Sequence, residues 1–170
     1  MMDTATLRDA YRTLLDAAAT VAAAGDDVLT PAAGEWNADQ ILAHISIVNA
    51  VTIATAATVS AGAGTTYDNR LALDTWTMER AIARCGGSAG LRGRIRAQGE
   101  ALCALAEHTL SDGELDTPVP TLLLSAGAVM VDQLVPLRDL IAGLADAELP
   151  GHAAQLLALV PGTAPVVVPA

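Results

Sequence analysis

The residues able to do chemistry are few. The chain has three histidines, His44, His108 and His152, and two cysteines, Cys85 and Cys103. His44 follows Trp36 by eight residues, inside the run Gly34-Glu35-Trp36-Asn37-Ala38-Asp39-Gln40-Ile41-Leu42-Ala43-His44-Ile45. A histidine so placed suits a pocket, as a metal ligand or a general base. No nucleophile accompanies it at a recognisable spacing. His108 and His152 read as residues near helix ends, and their spacing from His44 supports no triad. The cysteines show neither a CxxC pair nor metal-knuckle spacing, so two reduced thiols are expected. Five of the nine arginines, Arg80, Arg84, Arg92, Arg94 and Arg96, cluster around Gly86-Gly87-Ser88. A glycine turn opening a helix beside them is a candidate anion patch. A solvated, ion-paired helix face is the plainer reading. There is no Walker or dinucleotide pattern.

These residues need helices to position them. Of 170 residues, 36 are alanine, 52% are hydrophobic and only 2% aromatic, so the core must be built from small aliphatic side chains. Alanine is the best helix former and lets helices approach closely. The net charge of −10 and the absence of lysine argue against nucleic acid and anionic membrane as partners. A cytoplasmic protein is expected: aspartates interrupt the N-terminal apolar stretch, so it makes a poor signal peptide. The uncharged run 40–67 is long enough to span a bilayer, but its His44, Asn49 and threonines fit a buried helix better.

Apolar spacing predicts a helix over 4–24 and a second from Asn37 to about Ser60, opened by an Asn37/Gln40 capping box. Asp74 caps a shorter helix ending at Gly86-Gly87. A third long helix starts near Ser88 and breaks at Ser111-Asp112-Gly113. After Pro118 and Pro120 a fourth is expected over Thr121–Ala147, ended by Pro150-Gly151 and followed by a short helix over His152–Leu159. Trp36 and Trp76 are expected as packing anchors. The Leu122–Leu124, Val129 and Met130 stretch is expected as core or as a homodimer face. The fold expected is an all-α four-helix bundle with a long connection between helices two and three, forming one domain over 1–160, with an extended tail over 161–170.

The Trp36–Ile45 segment resembles the DinB-like superfamily. Within it, the segment is similar to the N-terminal domain of mycothiol-dependent maleylpyruvate isomerases. The Asp68/Arg70 pair and the Asp139-Leu140 pair add weaker matches, and the resemblance spans most of 4–147. It implies a divalent metal, zinc or nickel, held by the helix-two histidine, here His44, and by a Glu-x-x-x-His or His-x-x-x-His pair on helix four. Such i, i+4 residues share one helix face. It also implies a low-molecular-weight thiol cofactor. Counted back from Asp139, the pair falls on Asp132 and Pro136. Proline has no ligand atom, and it should kink the helix there. The expectation is therefore a degenerate, metal-free family member that binds a small molecule or a protein partner without catalysis. Trp36, His44, Asp132 and Asp139 would line its pocket, with Asp132 pairing His44. An opposite charge there would raise the histidine pKa. Two alternatives stand beside it. One is a metal- and thiol-dependent transferase or isomerase using His44 and Asp132. The other is a homodimeric structural or assembly module.

Overall fold

The structure is a computed structural model, and it describes residues 2–162. The chain is mostly helical. α1 (Ala5–Ala24) buries the stripe Leu7, Ala10, Tyr11, Leu14, Ala17, Ala18 and Val21, repeating at the helical period. α2 (Ala38–Ser60) opens on the predicted capping box. Asn37 accepts from the Gln40 backbone, and the Gln40 side chain accepts from the Asn37 backbone. Every residue from Ile41 to Asn49 is buried, so α2 is enclosed on all sides there and not merely along one stripe. By length and composition α2 could cross a membrane, but two-thirds of its most apolar window (67%) lies inside the fold.

The connection after α2 holds a short strand β1 (Tyr67–Asp68), a single helical turn α3 (Arg70–Leu73) and α4 (Thr75–Cys85). Asp74 caps α4 by accepting from Thr77, and Gly86 ends it in the left-handed conformation, as the sequence predicts. α5 (Ser88–Ala104) follows, with Gly87 rather than Ser88 at its cap, and runs on through a π-turn over Leu105–Thr109. α5 packs on α2 and α1. Gly99 permits the second contact, because a β-carbon there would stand 2.9 Å from the Tyr11 ring. Tyr11 in turn donates to the buried Asn49 at 2.7 Å. Burial raises the Tyr11 pKa.

The expected fourth helix over Thr121–Ala147 is not what forms. After a turn α6 (Asp112–Leu115), the chain makes a hairpin of β2 (Pro118–Ser125) and β3 (Ala128–Pro136). β2 pairs antiparallel with β3 and parallel with β1, in the order β1-β2-β3. The turn residues Ala126 (φ 48°) and Gly127 (φ 78°) both have positive φ, as a tight two-residue hairpin loop requires. Leu123 faces Val131 while Leu124 faces Val129, so Met130 is the extra residue of a bulge. Leu122–Leu124 are half-buried, whereas Val129, Met130 and Leu134 are exposed.

Pro136 therefore kinks nothing. It closes β3 and caps α7 (Leu137–Gly143). The helix then continues through a π-turn (Leu144–Glu148) into α8 (Leu149–Ala158). Pro150-Gly151 does not end it, and no separate short helix starts at His152. Proline at 150 has no N–H to give the Asp146 carbonyl and would crowd it. The wider turn absorbs this, with the Leu149 N–H bonding to Leu144 five residues back. α8 packs along α1, and one hydrophobic cluster joins all four long helical segments. The expected extended tail lies almost wholly at 163–170, outside the described residues.

Candidate functional site

His44 sits near the start of α2 and is 3% exposed. Its Nδ1 lies 2.9 Å from the Ala72 carbonyl on α3. A carbonyl only accepts, so Nδ1 donates to it, and Nε2 faces the other way, into the site. His152, on α8, is held in the same sense. Its Nδ1 lies 2.7 Å from the Gln155 side-chain oxygen, again leaving Nε2 to point inward. Between the two stands Glu148. Its Oε1 is 2.8 Å from His44 Nε2 and 3.4 Å from His152 Nε2. The three donor atoms lie within 4.8 Å of one another.

Glu148 and His152 form a Glu-x-x-x-His pair. The π-turn ends at Glu148, so four residues of regular helix stack the two side chains on one face. Burial alone would raise the Glu148 pKa. Hydrogen bonds from His152 and then His44, with their charge, outweigh it and bring the carboxyl down to about 2. Trp36 lies over the cluster, its ring centroid 4.8 Å from that of His44 and 6.2 Å from that of His152. The cluster opens on a cavity of about 600 Å³, walled by the loop Leu29–Trp36, by Asn69 and Leu73, by the hairpin tip Leu124–Ala126 and by α8. This is the size of a small-molecule site. Asn69 fixes the hairpin wall. Its amide nitrogen donates to the Leu124 carbonyl, and its oxygen accepts from the Leu124 N–H, each at 2.9 Å.

The donor set suits a divalent ion such as zinc. Two imidazoles whose Nδ1 protons are committed elsewhere plus one carboxylate, facing a cavity, is the donor composition of catalytic sites that keep a position open. Bonds of about 2.0–2.1 Å at tetrahedral angles place donors about 3.3 Å apart. The two pairs Glu148 makes, at 2.8 and 3.4 Å, lie near that value, while the two imidazole nitrogens, within 4.8 Å of each other, would have to approach by up to about 1.5 Å to share an ion.

Of the residues expected in the site, His44 and Trp36 are there. Asp132 is exposed on β3 opposite Leu122, and Asp139 is exposed in the first turn of α7; neither lines the cavity. The partner of His44 is Glu148, not Asp132. The ground for expecting a broken ligand pair at Asp132 and Pro136 is thereby removed, since both belong to a strand. Sequence reading missed Glu148 and His152, although their spacing was legible. Pro150-Gly151 inside the pair reads as a helix stop, and counting back from Asp139-Leu140 points to Asp132 and Pro136 instead. His108 is exposed beside Glu107, away from the cluster.

The clustered arginines lie outside the cavity beside His44. Arg80 stacks over Trp76 at 4.5 Å, and that tryptophan is exposed rather than a packing anchor. Arg84, Arg94 and Arg96 are exposed, while Arg92 is half-buried. The start of α5 already has an acid beside it. The Asp39 carboxylate lies 3.9 Å from where a Gly87 β-carbon would stand. Asp68 and Arg70 form an ion pair, with Nε 2.8 Å from Oδ2. Both cysteines are free thiols. Set against known proteins, the chain matches no family model, no curated protein and no solved structure.

Proposed function

We propose that this chain is a DinB-like four-helix bundle whose His44, Glu148 and His152 hold a divalent metal ion at the floor of a small-molecule site. The observation that carries the reading is the convergence of these three donors, with both Nδ1 atoms hydrogen-bonded outside the cluster, to the Ala72 carbonyl and the Gln155 side chain. The Glu-x-x-x-His spacing on the last long helix agrees with what the resemblance implies, at positions other than those first counted. When bound, such an ion supplies Lewis acidity, lowering the pKa of a coordinated thiol or water. The chain's own residues do the rest. Ala72 and Gln155 orient the imidazoles, Trp36 covers them from solvent, and the cavity holds the organic part of a substrate. A thiol-dependent transfer or isomerisation is the reaction class, and the thiol rests on the resemblance alone.

A second reading is supported by the direct contact of 2.8 Å between His44 and Glu148. That contact satisfies both groups without an ion, as in a metal-free protein that binds a small molecule or a partner. Zinc titration by competition with a chromophoric chelator separates the two. One equivalent bound tightly by the wild type and lost in His152→Ala supports the metal site. Absent or superstoichiometric weak uptake, unchanged in the variant, favours the metal-free reading.

A further inference from the structure

We infer that the molecule taken up beside the His44–Glu148–His152 cluster is uncharged, and that the β2–β3 hairpin tip is the wall that selects it. This rests on the metal reading, because the cluster is then the polar anchor. Beyond the cluster, the cavity is lined by Leu29, Pro31, Ile41, Leu73, Leu124 and Leu159 among others, and by neutral polar groups. Two of the neutral polar groups are already engaged, Asn69 with Leu124 and Gln155 with His152. No arginine lines the cavity among the described residues, and the chain has no lysine to bring. Arg70, next to Asn69 in sequence, is turned to Asp68. Among the described residues the one further charged side chain on the wall is acidic, Glu35.

A carboxylate or phosphate on the substrate, away from the anchor, would thus lose its water without gaining a cation. It would also meet the field of Glu35 and of a chain carrying a net charge of −10. The selecting wall is preformed. The double hydrogen bond from Asn69 and the tight turn at Ala126-Gly127 hold the tip in place, so it cannot easily fold away from a mismatched group.

The test compares two probes with the same zinc-binding head on zinc-loaded protein: benzohydroxamic acid and 4-carboxybenzohydroxamic acid. Calorimetry should show the first binding at least about ten-fold tighter. Equal or tighter binding of the carboxylated probe overturns the inference, and so does failure of both probes to bind, while the metal reading stands in either case. If the protein takes up no stoichiometric zinc, the metal reading fails and this inference with it. Ser125→Arg places a cation on the exposed tip without touching the cluster. It should tighten the carboxylated probe several-fold relative to the neutral one. If the ratio does not move, the hairpin tip is not the selecting wall.

Discussion

The two helices that meet at the His44–Glu148–His152 cluster are built by opposite local means. The start of α2 obeys every rule of a helix beginning, with a capping box, an acidic first turn at Asp39 and an unbroken apolar run. The helix carrying Glu148 and His152 breaks those rules. It begins directly from a strand, contains a π-turn and has a proline and a glycine between its two site residues. Yet it is this irregular half that brings two of the three donors. π-turns and prolines inside helices reset which face a side chain occupies, and they recur at functional sites for that reason. Regularity gives the site a rigid floor, and irregularity aims the residues that complete it.

The largest expected effect comes from removing a donor on the irregular side. His152→Ala should lower zinc affinity by more than about 100-fold, read by chelator competition, with the helical circular dichroism retained. Wild-type affinity in that variant would remove His152 from the proposed metal site. Next, Pro150→Ala restores an N–H able to bond Asp146 and so invites the π-turn to close into regular helix. We expect zinc affinity to fall by roughly ten-fold while thermal stability stays level or rises. Unchanged affinity would show that the π-turn does not aim Glu148.

The third expectation is a pH effect. Glu148 has an ordinary pKa of 4.5 and is held at about 2 in the fold. A depressed carboxyl stabilises the folded state fully above the ordinary value and loses that contribution as pH falls toward the folded value. Stability of the metal-free protein should therefore decline between about pH 4.5 and 2, and Glu148→Gln should flatten that decline. Identical acid profiles by denaturant titration would mean that the histidines do not hold the carboxylate.

On the regular side the effects are smaller. Asn37→Ala removes the α2 cap and should cost about 1 kcal/mol, a fall of roughly 2–4 °C in Tm. Its zinc stoichiometry should stay at that of the wild type. Asp132→Ala lies on the exposed hairpin strand and should change stability by no more than about 0.5 kcal/mol. A marked loss of zinc in that variant would put Asp132 back among the ligands.

How far the sequence can be read follows the same division. Asn37, Gln40, Asp74 and Gly86 act through atoms a few residues away, so their caps and stops are visible in order along the chain. The stretch Thr121–Pro136 is apolar enough for either a buried helix or a strand. Its Ser125-Ala126-Gly127-Ala128 segment was the turn signal, and an alanine at positive φ is too unusual to be read as one. What makes it a hairpin is pairing with β1 from a distant segment, and the clamp from Asn69. Once those residues were read as helix, Asp132 and Pro136 occupied the ligand register, and Glu148 and His152 fell beyond a false helix end.

The sequence by itself determined a mostly helical chain with a small-residue core, an enclosed α2 and His44 near its capped start. Those features depend on local backbone preference and on which side chains avoid water, and both are written residue by residue. Only the tertiary structure decided which acid meets His44, because that partner lies 104 residues away. It also decided that the helix runs through Pro150. Packing of α8 along α1 stabilises a turn that local propensity alone would break. The site exists where those two long-range decisions coincide.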